Sequence, residues 1–262
     1  KIVVCIKQVP DTTEVKLDPK TNTLIRDGVP SIINPDDKAG IEAALRLKEQ
    51  TNGHVTVVCM GPGQADVALR EALAMGCDEA ILVSGREFGG SDTYATSGIL
   101  AAALRKIGYD LIITGRQAID GDTAQVGPQI AEKVGVPQVS YVEEVKEATP
   151  DYIVVKRQFE DGYHIIKIKT PCLLTAIAEL ATPRYMTVRG IVEAYEKEIK
   201  ILGFEDLKDD LELDMIGLKG SPTNVYQSFT KEVKGAGTIL KDLSADEAVK
   251  AIVAKLEEKF II

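Results

Sequence analysis

Continuous apolar runs and helically spaced apolar positions alternate through the first half of the chain. Residues 2–6, 55–60, 80–83 and 111–114 are almost wholly apolar and predict buried strands. Between them, 36–49, 64–75 and 91–107 repeat apolar side chains at helical spacing. Ile41 and Leu45 are expected to face the sheet, Gly76 to stop the second helix and Ser91-Asp92 to start the third. Buried strands alternating with helices predict a parallel sheet covered on both faces. After Pro137 the pattern changes. Segments 139–145, 152–157 and 163–169 interleave charged with apolar residues, and Glu160-Asp161-Gly162 reads as a hairpin turn, while 171–176 reads as one more buried strand. The predicted fold class is α/β, a mostly parallel sheet with helices on both faces and an antiparallel extension. A smaller hairpin is expected from 15–17 and 23–26.

From Gly203 to about Leu240 the periodicity is lost, interrupted by Gly217, Gly220, Pro222, Gly235 and Gly237. So long a stretch without its own structure predicts an extended arm, either flexible or lying across a partner. Ser244-Ala245-Asp246-Glu247 then forms a capping box for a short final helix, with Ala248, Ile252 and Leu256 along one face, broadened by Val249, Val253 and Phe260.

The stretch GRQAIDGDTAQVG, Gly115 to Gly127, sits between a buried strand and the helix-like Pro128-Gln129-Ile130-Ala131-Glu132. A glycine-rich turn opening a helix presents backbone N–H groups to an anion, in α/β proteins commonly a nucleotide phosphate. Its spacing matches neither standard nucleotide fingerprint, so spacing alone leaves two readings, a phosphate cradle or a structural turn.

Composition narrows the chemistry. Lys+Arg 31 against Asp+Glu 40 gives a net charge of −9, which argues against nucleic acid as a partner. No apolar run is long enough to span a membrane and no signal-peptide pattern opens the chain, so a soluble, cytoplasmic protein is expected, its initiator methionine lost before Lys1. Cys5, Cys59, Cys77 and Cys172 stand singly and read as core residues, Cys5 being the exception that lies near the predicted site. With His54 and His164 far apart, no zinc or iron–sulfur set is expected. No paired catalytic carboxylates and no Ser-His-Asp or Cys-His set can be assembled, so the chemistry is expected to belong to a cofactor.

Several separated segments resemble the β-subunit of electron-transfer flavoproteins. They are 2–11 (IVVCIKQVPD), Asp27-Gly28-Val29 with Ile33-Asn34-Pro35-Asp36-Asp37, Met60-Gly61-Pro62, Ala74-Met75-Gly76-Cys77-Asp78, the 115–127 loop, and Thr182-Pro183-Arg184-Tyr185. The resemblance implies an adenine-nucleotide α-hydrolase-like, Rossmann-like domain over 1–200, with a partner-recognition loop at about 175–190. It also implies an arm with a terminal helix over 201–262 that packs on the family's α-subunit. A true adenine-nucleotide α-hydrolase would carry G-x-x-G-x(9)-G-[ST], which this chain lacks.

By the same resemblance, the nucleotide site draws on Cys5, Lys7, Asn34, Pro35, Asp36, Asp37, Met60 and Gly61. The loop adds Gln117, Ala118, Ile119, Asp120, Gly121, Asp122, Thr123, Ala124, Gln125, Val126, Gly127 and Pro128. Residues 121–127 would offer N–H groups to phosphate, glycines 121 and 127 would permit close backbone approach, and Asn34 and Asp36 would read sugar or base. Asp120 and Asp122 would cap the local backbone or bind a ribose hydroxyl. Lys7 is either a ligand or a solvated lysine. Docking falls to Leu180, Ala181, Thr182, Pro183, Arg184 and Tyr185, with Leu180 as an exposed anchor.

Ordinary members hold AMP in this pocket, and electron-bifurcating members hold a second FAD. Gly121, where ordinary members carry aspartate, and the following Thr-Ala-Gln-Val-Gly-Pro resemble the bifurcating group. That implies hydride from NADH to the β-site FAD. One electron would go to the α-subunit FAD and an acyl-CoA-dehydrogenase-type partner, the other to ferredoxin or flavodoxin. The alternative is an ordinary β-subunit with structural AMP.

Overall fold

The computed structural model describes residues 1–11, 30–223, 226 and 235–262. The hairpin expected over 15–17 and 23–26, and Asp27-Gly28-Val29, lie outside the described residues. The chain divides into two compact units, Lys1–Asn224 and Val225–Ile262.

In chain order the first unit contains β1 (Ile2–Ile6), β2 (Gln8–Pro10), β3 (Ser31–Ile33), α1 (Pro35–Thr51), β4 (Val55–Met60), α2 (Asp66–Met75), β5 (Glu79–Val83), α3 (Thr93–Ile107), β6 (Leu111–Gly115) and α4 (Val126–Val134). There follow β7 (Gln138–Ala148), β8 (Tyr152–Phe159), β9 (Gly162–Lys169), β10 (Cys172–Ala176), α5 (Val188–Glu196), β11 (Ile199–Leu202) and α6 (Phe204–Leu207). A nine-stranded sheet runs β11-β5-β4-β1-β6-β10-β7-β8-β9. It is parallel from β11 through β7, and β8 and β9 extend it antiparallel. Strands β2 and β3 form a separate antiparallel pair.

Strand β1 shows why the central strands are apolar throughout. Ile2, Val4 and Ile6 join the core that includes Ile41, Leu45 and Leu69 of α1 and α2, whereas Val3 and Cys5 join the core of Ile99, Leu104 and Ile130 from α3 and α4. Alternate side chains enter opposite layers, so neither face tolerates a polar residue. Ile41 and Leu45 are buried against the sheet as expected, each contributing about 1.5–3 kcal/mol of burial. Asp92 caps α3 by accepting from the Ala95 N–H, and Gly76, at φ 126°, ends α2.

The expected arm from 201 is partly wrong. Strand β11 pairs in parallel with β5, the Ser84 N–H donates to the Leu202 carbonyl, and Leu207 and Ile216 are buried in the core. These contacts carry the compact unit on to Asn224. In the second unit, α7 (Ala245–Glu258) opens with the expected Ser244–Glu247 capping box and carries no buried residue. Among the described residues no helix is long and apolar enough to cross a membrane.

Candidate nucleotide site

Strand β1 lies between β4 and β6, the strands from which the chain proceeds to opposite sides of the sheet. In open α/β sheets ligands bind beyond the carboxyl ends of strands at such a switch point. The segments that resemble the family's nucleotide site all converge there.

Helix α1 starts at Pro35, which suits the first helical turn because it has no N–H to leave unpaired. Asn34 stands at the cap position, yet its side chain makes no capping bond. Fully buried, it reaches the loop after β6: its Nδ2 donates to the Gln117 carbonyl at 2.9 Å and its Oδ1 accepts from the Ile119 N–H at 3.1 Å. Asp37 is spent in the same way. One carboxylate oxygen accepts from the Lys7 N–H at 2.7 Å and the other from the Gly115 N–H at 2.9 Å. Burial pushes the Asp37 carboxyl up to about 7, against the opposing pull of these N–H donors. Asp36 lies 3.5 Å from Arg116 Nε; burial raises its carboxyl, and the Arg116 charge only partly opposes this.

The loop then folds on itself. The Gly121 and Asp122 N–H groups donate to the Ala118 carbonyl at 3.2 and 2.9 Å. Gln117 Nε2 donates to Asp122 Oδ1 at 2.9 Å, and Lys7 Nζ donates to Asp120 Oδ1 at 2.6 Å. Asp122 and Ala124 have positive φ, 50° and 52°, a conformation that turns successive N–H groups to one side. Among the described residues, no acceptor takes the N–H groups of Thr123, Ala124, Gln125, Val126 or Gly127. These unpaired donors open α4, where the helix dipole adds to their attraction for an anion. Gln125 Oε1 accepts from Thr93 Oγ1 at 2.8 Å and so ties the loop to α3.

Several expectations change. The side chains of Asn34, Asp37 and Lys7 all hydrogen-bond to the loop or to the backbone that flanks it. Gly121 and Asp122 spend their N–H groups internally, so the unpaired N–H groups are those of 123–127. Asp120 and Asp122 pair with side chains and cap no backbone. Gly121 has nothing within 4 Å of the position a Cβ would take, so it leaves open space; a Cβ on Gly127 would lie 2.5 Å from Thr114 Oγ1 and 2.9 Å from Thr175 Cγ2. Gly127 is therefore required by helix–sheet packing. Cys5 is buried, and burial pushes its thiol up to about 12. Met60 and Gly61 line a small cavity of about 40 Å³ with Lys7, Gln8, Cys59 and Pro62. Sequence reasoning assigned no role to Gly115 or Arg116. Gly115 admits no side chain, because a Cβ would stand 2.0 Å from Asp37 Oδ1.

The docking segment is also different from expectation. Leu180 is only 9% exposed and Ala181 4%, both within the core that contains α1. The turn Ala178–Leu180 brings Leu180 inward, so it is not a protruding anchor. Thr182, Pro183 and Arg184 are strapped to α1. Arg184 Nε donates to Glu42 Oε2 at 2.8 Å and Nη1 to Glu49 Oε1 at 2.6 Å, while Arg46 Nη2 reaches the Thr182 carbonyl at 3.4 Å. Burial alone would raise the Glu42 carboxyl; hydrogen bonds from Arg184 and Arg46 outweigh it and hold it below its ordinary value. Tyr185 is 98% exposed and begins an apolar surface continued by Val188, Ile191, Val192 and Tyr195.

A model of the electron transfer flavoprotein domain matches residues 21–207. The chain belongs to the electron transfer flavoprotein family. Among the family's proteins it is similar to the electron transfer flavoprotein subunit beta of Clostridium acetobutylicum, 56% identical over 261 residues that cover 100% of this chain and 99% of the relative. It is 53% identical over 264 residues to the caffeyl-CoA reductase-Etf complex subunit CarD of Acetobacterium woodii, with 100% of both chains covered. It is 52% identical over 269 residues to the acryloyl-CoA reductase electron transfer subunit gamma of Anaerotignum propionicum, again with 100% of both covered. The template of Asn34, Asp37 and Lys7 thus belongs to an electron transfer flavoprotein chain of the β-subunit type.

Proposed function

We propose that this chain is the β-subunit of a heterodimeric electron transfer flavoprotein and that its 117–128 loop holds the diphosphate of an electron-bifurcating FAD. The observation that carries the reading is the run of unpaired N–H groups from Thr123 to Gly127 beside the open space at Gly121. The residues fit a dinucleotide: among the described residues five successive N–H donors are unpaired, and nothing lies within 4 Å of a Cβ position at 121. The same donors would accept the single phosphate of AMP. What favours FAD is the missing carboxylate at Gly121, since a charge there would repel a second phosphate.

When bound, FAD supplies the redox chemistry, taking hydride from NADH and passing electrons to the α-subunit FAD and to ferredoxin or flavodoxin. The chain's own residues bind and orient. Backbone N–H groups neutralise phosphate charge, Thr123 offers a hydroxyl, and Asn34 and Lys7 hold the loop so that little reorganisation accompanies binding. Docking of an acyl-CoA-dehydrogenase-type partner is assigned to Tyr185 and the exposed side of α5, with Arg184 holding the preceding segment against α1. The test is anaerobic mixing of NADH with the FAD-loaded heterodimer. Bleaching of flavin absorbance by NADH supports the reading, and an unreactive flavin contradicts NADH as donor.

A further inference from the structure

The geometry points to Asp37 as a positioning residue of the nucleotide site, one that sets the spacing of the two flanking loops without touching the ligand. This deepens the reading of the site proposed above and rests on it. Asp37 is 6% exposed, and both its oxygens are committed, Oδ2 to the Lys7 N–H at 2.7 Å and Oδ1 to the Gly115 N–H at 2.9 Å. Those donors lie just beyond β1 and at the end of β6, neighbouring parallel strands in register at Cys5 and Thr114. Each begins a line of contact to the cradle. Lys7 sends its Nζ to Asp120, and its carbonyl accepts from the Asn34 N–H at 2.9 Å; Gly115 leads directly into Arg116 and Gln117.

The ionised carboxylate matches this place best. Two N–H groups point inward from two loops, and they need two acceptor atoms on one short side chain. An amide at 37 would offer one oxygen and set its NH₂ against the other N–H. Besides the two N–H donors, the Asn34 side chain is a hydrogen-bond partner that favours the ionised carboxylate. The Cys5 thiol faces it from β1 and Asp36 adjoins it on α1, and neither stabilises a negative charge; the Lys7 ammonium is engaged by Asp120. Gly115 is the complement of this clamp, since any Cβ there would collide with Oδ1.

The experiment uses the full chain with its α-subunit, depleted of β-site nucleotide, and titrates wild type, Asp37→Asn and Gly115→Ala with AMP and separately with FAD. Backbone hydrogen exchange across 115–122 and the melting temperature are read in parallel. Above pH 7, where the Asp37 carboxyl is ionised, losing one charge-assisted bond of the clamp should weaken both nucleotides about tenfold and speed exchange across the loop, with melting within a few degrees of wild type. Gly115→Ala, which displaces the carboxylate without removing its charge, should reproduce that loss. Unchanged affinity in Asp37→Asn overturns the clamp, as does weakening confined to variants that no longer melt like wild type. A wild-type heterodimer that takes up neither AMP nor FAD instead overturns the reading of the site itself, and the clamp with it.

Discussion

Asn34 and Ile119, 85 residues apart, are joined by a 3.1 Å hydrogen bond from the Ile119 N–H to the Asn34 side-chain oxygen, while the Asn34 amide nitrogen donates to Gln117. A fully buried side chain thereby fixes both backbone positions that bracket Ala118, whose carbonyl holds the following turn. Asn34→Ala would remove the partners of the Ile119 N–H and the Gln117 carbonyl, two hydrogen bonds at once. That should lower stability by about 1–3 kcal/mol and weaken nucleotide binding as well. Denaturant unfolding with and without AMP measures both effects.

The two loop glycines should respond oppositely. Gly127→Ala places a methyl 2.5 Å from Thr114 Oγ1, forcing α4 away from the sheet, at a cost of about 1–3 kcal/mol. Gly121→Ala meets nothing within 4 Å and should leave stability unchanged or raise it by up to about 1 kcal/mol. Comparable losses in both variants would contradict the packing role given to Gly127.

Much of this architecture is legible in the sequence, because the central strands carry unbroken apolar runs and α1 to α3 carry clear helical spacing. The 115–127 loop is legible as a turn for the same local reason, its glycines falling between a strand and a helix. What cannot be read locally is where side chains from distant segments are spent. Nothing around Asn34 or Asp37 marks them as partners of backbone groups some eighty residues away rather than of a ligand. Strand β11 escapes notice because its four residues alternate with Lys200 and follow a charged stretch. Leu180 stands alone between small and polar residues, with no period to assign it to the core.

Leu180 offers a sharp contrast between an anchor and a core residue. Being 9% exposed against α1, Leu180→Ala should cost about 2–5 kcal/mol of stability. Tyr185→Ala, at a position 98% exposed, should leave stability near wild type and slow electron transfer to the partner dehydrogenase. Thermal melts and transfer kinetics on the two variants separate the roles.

Arg184→Ala should release the 182–185 segment from α1 and leave the buried Glu42 carboxylate with Arg46 alone. Because the folded state holds the Glu42 carboxyl below its ordinary 4.5, its pairing stabilises the fold above that pH. The contribution is lost as pH falls through the lower folded value. The variant should therefore lose stability near neutrality and show a shallower decline on acidification below 4.5, followed by unfolding across a pH series.

Asp37 carries the opposite sign. Its carboxyl is raised from 3.8 to about 7 in the folded chain, so the stability associated with its protonated form is complete below 3.8 and lost as pH climbs through about 7. The nucleotide-free wild type should lose stability over that interval relative to Asp37→Asn, by an amount of the order of a few kcal/mol. Parallel pH profiles of the two proteins would contradict the assignment.

The account rests most directly on which nucleotide the 123–127 cradle holds. The heterodimer of this chain and its α-subunit, purified without added nucleotide, is denatured and its released FAD and AMP are counted, with a parallel sample preincubated with FAD. Two FAD and no AMP per heterodimer is the predicted result. One FAD with one AMP, unchanged by added FAD, would contradict the bifurcating assignment and leave the site a structural AMP pocket.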